Sequence, residues 1–200
     1  TPGGGHISHH RAGSVGKYTH NIVSFPLTPD GYRIDLEKTL DLARALEPKV
    51  MILGKSLFLF REPVRELAGF CHQHQIALLY DGAHVLGLIA GREFQDPLEE
   101  GALLITASTH KTFFGSQRGL ILSDVGESEW RKIDKGAFPG SSSNHHLDTL
   151  VALGIATYEM MEFGPAYARQ TISNAKALGA QLYEMGFQVQ AAELGFTETH

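Results

Sequence analysis

Two short apolar runs constrain this chain more than anything else in it, because each breaks off in chemically capable residues. Ala77-Leu-Leu-Tyr80 stops at Asp81-Gly-Ala-His84, and Leu103-Leu-Ile-Thr106 continues into Ser108-Thr-His-Lys111. Apolar runs of roughly four to eight residues bounded by polar turns read as strands buried on both faces. Such strands belong to parallel sheets covered by helices. The neighbouring segments supply those helices. Asp35 to Glu47 places Leu36, Leu40 and Ala43 on one face and ends at Pro48; Pro63 to His74 starts on proline and carries the stripe Val64, Leu67, Ala68 and Cys71. Asn21–Phe25, Val50–Leu53 and Gly119–Leu122 read as further strands, and Thr28-Pro-Asp-Gly31 as a turn. The alternation predicts an α/β fold, a mostly parallel sheet flanked by helices. In such sheets ligands collect at the carboxyl ends of strands. Ser56, Asp81, His84 and Lys111 all fall at such ends.

The remainder reads as connection and as helix. Residues 1–17 have neither helical nor strand period and form a loop, in which Pro2-Gly-Gly-Gly5 permits close backbone approach. His6, His9 and His10 invite a metal reading, but no carboxylate lies nearby in sequence, and a surface histidine cluster competes with it. Gly87 to Gly91 and Phe138 to His146 read as loops. Leu147, Leu150, Val151, Gly154, Tyr158 and Met161 mark one face of a long helix that Pro165 interrupts, and Ala175, Leu178, Leu182 and Met185 mark a second. Gly186–Val189 reads as the first strand of a smaller domain. The expected division is residues 1–163 as a large cofactor-binding domain and 164–200 as a linking helix with the start of that smaller one. Opening at Thr1 without methionine and stopping at His200, the chain reads as the central piece of a longer protein.

Composition narrows the function classes. A formal charge of −5 and a pI near 6.1 leave no basic face for nucleic acid. No run approaches the roughly 18 apolar residues that a membrane span needs. The single cysteine, Cys71, excludes an intrachain disulfide, is expected to be buried, and fits a reducing, cytoplasmic setting. With 42% apolar residues the chain can bury a real core.

A carboxylate at one strand end and a hydroxyl-flanked lysine at the next suit a particular chemistry. A lysine can hold an aldehyde cofactor as a Schiff base while a carboxylate keeps the cofactor's ring nitrogen protonated. Lys111 sits among Ser108, Thr109 and His110, with Phe113 and Phe114 behind it. Burial there is expected to favour the free amine. A solvated loop lysine is the ordinary alternative, and an aspartate after a strand often caps a helix or a turn. His6 is placed to cover the ring face if its loop folds over the site. His84 is placed to donate to the cofactor's phenolate oxygen or to a substrate carboxylate.

Taken together, Gly4-Gly-His6-Ile-Ser-His9, Asp81-Gly-Ala-His84-Val-Leu-Gly-Leu88, Thr109-His-Lys-Thr112 and Phe138-Pro-Gly140 resemble the motifs of the serine hydroxymethyltransferase family in order and spacing. The resemblance covers nearly the whole chain. It implies the large domain of a fold-type-I pyridoxal-phosphate enzyme, working as a homodimer and moving a one-carbon unit between serine and tetrahydrofolate. It implies that Lys111 is the Schiff-base lysine, Asp81 the ring-nitrogen partner and His6 the stacking residue. Ser56 and His84 would flank the phenolate oxygen, Ser108 and His110 would complete the cofactor site, and the Gly140-Ser141 loop would reach the phosphate of the neighbouring subunit. No metal is implied. Phe58 stands where the family usually has tyrosine, Gly115-Ser-Gln-Arg-Gly119 replaces its Gly-Pro-Arg-Gly-Gly, and Ser141-Ser-Ser-Asn-His-His146 replaces a glycine-rich run. These departures point to a divergent branch, with a folate-independent threonine aldolase, a transaldolase or a 2-methylserine-type transferase as alternatives. A non-catalytic homologue or dimerisation scaffold is the alternative of another class.

Overall fold

The computed structural model describes residues 5–200. Thr1 to Gly4, and with them most of the glycine run expected to allow close approach, lie outside that range. Helix α1 (Leu36–Leu46) starts where the Asp35 carboxylate accepts from the Lys38 amide at 3.1 Å and stops at Glu47, which turns left-handed before Pro48. Strand β1 (Val50–Leu53) follows, then α2 (Val64–Gln73), β2 (Ala77–Asp81), the short α3 (Leu86–Ala90), β3 (Leu104–His110) and β4 (Phe114–Leu122). Two helices complete the order, α4 (Glu127–Ala137) and α5 (Leu147–Glu184).

Among the described residues the sheet has four strands in the order β1-β2-β3-β4. β1, β2 and β3 run parallel, with Leu53 level with Tyr80 and Asp81 level with Thr106. β4 returns antiparallel to β3, as a tight hairpin requires. Leu53, Tyr80 and Ile105 are fully buried along these strands, and Val64, Leu67 and Cys71 of α2 pack into the same core. Cys71 is free and buried, as its place on the stripe predicted.

Five expectations are corrected. Asn21–Phe25 forms no strand, because nothing in the described chain pairs with it; only Leu27 makes an isolated bridge, to Ile34. Gly87 to Gly91 lies within and just after helix α3 rather than in a loop. Gly87 is needed there because a Cβ would stand 2.1 Å from the Thr112 carbonyl oxygen. Pro165 does not interrupt the long helix: α5 runs unbroken for 38 residues. One lost backbone bond is offset by the close seating of its neighbours. A Cβ on Gly91 would stand 2.6 Å from the Gly164 carbonyl oxygen and 2.5 Å from the Ala168 methyl. The buried face of α5 is Ala156, Met160, Gly164 and Ala168, so Leu147, Val151 and Tyr158 point outward instead of into the core. Finally, Gly186–Val189 forms no strand. The chain instead turns back, and the Glu198 amide donates to the Leu59 carbonyl at 2.7 Å while Thr199 Oγ1 donates to the Phe58 carbonyl at 2.6 Å.

One glycine ties β1 to the next strand's end. Gly54 has φ +112°, and a Cβ on it would lie 2.2 Å from the Asp81 carbonyl oxygen. Strained backbone and a clash against main chain act together here, so Gly54→Ala is expected to cost about 2–4 kcal/mol of unfolding free energy. Urea denaturation measures it; a loss below about 0.5 kcal/mol, the range of an ordinary surface change, would mean that the strand ends separate freely.

Candidate active site

The parallel strands deliver their polar residues to one edge. Asp81 ends β2, and its carboxylate accepts from His9 Nε2 at 2.8 Å and from the Ala83 amide at 3.0 Å. The His6 ring lies 5.2 Å from that of His9 and 6.0 Å from that of His84, edge-on to the latter. Lys111 follows β3, with its Nζ donating to Ser108 Oγ at 3.0 Å. The ammonium stands close enough to lower the pKa of both His6 and His84. An acid, a base and imidazole faces therefore share one cluster, assembled from the N-terminal loop, the end of β2 and the turn after β3.

Electrostatics sets the protonation states. Burial alone would raise the Asp81 pKa, but the His9 and Ala83 hydrogen bonds and the charges of His9 and His6 outweigh it and hold the carboxyl below its ordinary 3.8. His6 is held below 6.5 chiefly by burial, and His9 and Lys111 add to this against the pull of Asp81. His84 is lowered first by burial, then by Lys111, His200 and His6. At neutral pH the cluster presents the anionic Asp81 carboxylate beside His6 and His84, both of which are held toward the neutral form.

The expected site residues separate into two groups. Lys111, Asp81, His6, His84 and Ser108 come together. Ser56 stands next to Lys55, which forms an isolated bridge with Gly5 and so adjoins His6. His110 ends β3 with its side chain exposed and makes none of the cluster's contacts. Gly140 and Ser141 close the end of α4 instead: the Gly140 amide donates to Lys135 and Ser141 Oγ to Gly136, and Ser141 lines a separate cavity with Thr106, Arg118 and Trp130. The expected burial of Lys111 is not found, since the residue is exposed. A larger cavity of about 960 Å3 follows the outer edge of β1; His6 and His9 touch one end of it, but neither Asp81 nor Lys111 lines it.

Three participants escape a linear reading. His9 stands 72 residues from Asp81 in sequence, and its place three residues after His6 in a shared loop was the one signal available. Thr112 accepts from the Gly87 amide at 3.1 Å and donates to the His84 carbonyl at 2.7 Å, so it locks the backbone of one motif to another. His200 lies parallel to His84, ring centroids 6.5 Å apart.

His6, His9 and Asp81 bring their ligand atoms within 4.8 Å of one another, so the fold supplies the carboxylate that the sequence neighbourhood lacks. Hydrogen bonding argues against a metal there. His6 Nδ1 already accepts from the Ser8 amide at 3.0 Å, which puts the ring proton of neutral His6 on Nε2 and leaves no free lone pair. A protonated pyridine suits the site better. Asp81 is an anionic acceptor, His6 offers a ring face, and Lys111 holds an exposed amine one strand away.

The sequence profile of the family described as serine hydroxymethyltransferase matches residues 1–197. The chain belongs to the serine hydroxymethyltransferase family. It is 52% identical over its whole length to a serine hydroxymethyltransferase of Methanosphaera stadtmanae, covering 47% of that protein, and 47% identical to one of Archaeoglobus fulgidus, covering 45%. Among solved structures it is similar to an L-threonine transaldolase from Pseudomonas fluorescens in its internal aldimine state. The TM-score is 0.89 at 32% identity, over 98% of this chain and 46% of that one. The chain thus spans about half the length of the relatives it matches. This family membership agrees with the α/β layer and with the strand-end motifs that carried the resemblance.

Proposed function

We propose that these residues form the cofactor-binding part of a pyridoxal-phosphate enzyme that breaks the Cα–Cβ bond of a β-hydroxy amino acid, serine foremost, and passes the one-carbon unit to tetrahydrofolate. The observation that carries this reading is the joining of Asp81, His9, His6, His84 and Lys111 at the carboxyl edge of parallel strands. Bound there, pyridoxal phosphate would supply an electron sink for charge developing at the substrate α-carbon. The chain's own residues supply the rest. Lys111 Nζ is the point of covalent attachment. The Asp81 carboxylate would hold a proton at the ring nitrogen, and His9 orients that carboxylate. His6 covers a ring face and keeps water from it. His84, neutral and with its main chain fixed by Thr112, serves as a hydrogen-bond partner to the phenolate oxygen beside Ser56.

Several features support a homodimer. Leu147, Val151, Ile155 and Tyr158 form an exposed apolar stripe along α5, the kind of surface that a second copy covers. Gly140 and Ser141 make none of the cluster's contacts in their own chain and would, in a dimer, serve a partner's phosphate. Residues 1–163 are the cofactor-binding unit, and α5 from residue 164 links it to a smaller one. No helix among the described residues is long and apolar enough to cross a membrane. The free, buried Cys71 supports a reducing, cytoplasmic location.

The competing reading is folate-independent cleavage on the same scaffold, which the L-threonine transaldolase resembles in fold. Adding pyridoxal phosphate, serine and tetrahydrofolate to the full-length protein separates the two. Folate is expected to raise serine consumption by about tenfold or more, a barrier change of ~1.4 kcal/mol. Cleavage indifferent to folate supports the transaldolase reading, and a protein that never binds the cofactor rejects both in favour of a scaffold.

A further inference from the structure

Behind the cluster lies a pair of buried charges that the chemistry above does not use. Lys55 Nζ stands 3.1 Å from Glu62 Oε1, with side-chain exposures of 10% and 1%. The ammonium also donates to the Tyr32 carbonyl at 3.1 Å. Glu62 Oε1 accepts no directed hydrogen bond, so the contact to Lys55 is ionic, and burial pushes the Glu62 carboxyl upward against the pull of that lysine. Gln95 clamps the Glu62 backbone from both sides, its Oε1 accepting from the amide at 2.8 Å and its Nε2 donating to the carbonyl at 3.0 Å. Tyr80 Oη donates to the same Gln95 Oε1 at 3.1 Å, and Tyr80 is the residue before Asp81.

Buried ion pairs contribute little net stability, and well-packed apolar residues often replace them without loss. What such a pair can do is fix where a backbone sits. The backbone of Lys55 is placed where that matters. On one side Gly54 presses against the Asp81 main chain, on the other Ser56 follows directly, and Lys55 itself bridges to Gly5, the neighbour of His6. A side chain drawn inward by Glu62 and Tyr32 therefore holds three site segments in register. We propose that the Lys55–Glu62 pair is a positioning device for the cofactor site, setting the His6 loop and Ser56 against the end of β2.

The inference rests on the cofactor reading above, and its test keeps the two apart. The full-length protein is compared with Lys55→Met/Glu62→Met and Lys55→Arg. Melting temperature, pyridoxal-phosphate affinity by absorbance titration and the induced visible circular dichroism of the bound cofactor are the readouts. The double variant is expected to melt within about 5 °C of the parent, to bind the cofactor at least tenfold more weakly and to lose most of the dichroism. Lys55→Arg, which keeps the charge, is expected to stay within about threefold of the parent. Affinity and dichroism unchanged in the double variant would overturn the inference alone. A parent that binds no cofactor removes the inference and the functional reading together. Should the double variant not fold, Glu62→Asp keeps both charges and withdraws the carboxylate by one methylene. A threefold to tenfold weaker affinity supports the positioning role, and a parent-like value rejects it.

Discussion

Lys111→Ala is expected to yield a folded protein that pyridoxal phosphate does not turn yellow. The side chain is exposed and its amine touches Ser108 Oγ, so its removal should change stability by no more than about 0.5 kcal/mol, as at other surface positions. Loss of chemistry therefore cannot be assigned to unfolding. Absorbance at roughly 420 nm, the range of the lysine-bound cofactor, should vanish. Turnover should fall by about a thousandfold or more, equivalent to ~4 kcal/mol of barrier. A variant that keeps both the band and the rate would mean that another amine holds the cofactor, and the cluster around Asp81 would lose its meaning.

Asp81→Asn separates attachment from activation. The amide fills the same space and can still accept from His9, so colour should persist. It carries no charge to hold a proton at a ring nitrogen, and the rate should drop about a hundredfold to a thousandfold, or ~3–4 kcal/mol. The same variant has a pH signature. The folded Asp81 carboxyl lies below its ordinary 3.8, so the native state binds fewer protons than the unfolded one in that window. Its stabilisation is complete above 3.8 and fades as pH falls through the lower folded value. The substituted amide has no such proton to gain. The stability of the parent should therefore decline more steeply than that of the variant as pH falls below about 4. Parallel acid-denaturation curves and an unchanged rate would together show that Asp81 faces neither His9 nor the ring.

Much of this was legible in the sequence for a physical reason: buried parallel strands announce themselves as apolar runs. Val50–Leu53 coincides with β1, and the polar residues after each run land at one edge. What failed were inferences needing a partner that local pattern does not name. Asn21–Phe25 has strand composition without a strand to pair with. Gly87 looked like a breaker, although its purpose is to let α3 approach the Thr112 carbonyl. Pro165 was read by its local cost, which the seating of Gly164 and Ala168 on Gly91 overrides. In the site, Lys111, Asp81 and His84 stood out because motif and strand end coincide. The His9 contact to Asp81, the Thr112 lock on His84 and the Lys55–Glu62 pair are long-range or turn-specific, and no periodicity reports them.

The unbroken course of α5 has a mechanical consequence. Thirty-eight residues make a rod about 57 Å long, and the seat of Gly164 on Gly91 lies near its midpoint. Such a rod is a lever resting on a small-residue fulcrum. A rocking of about 5° there would swing each tip by about 2.5 Å, in opposite directions. Any side chain larger than hydrogen at Gly91 would lift the whole beam off its bearing, so one methyl group would be felt at both ends.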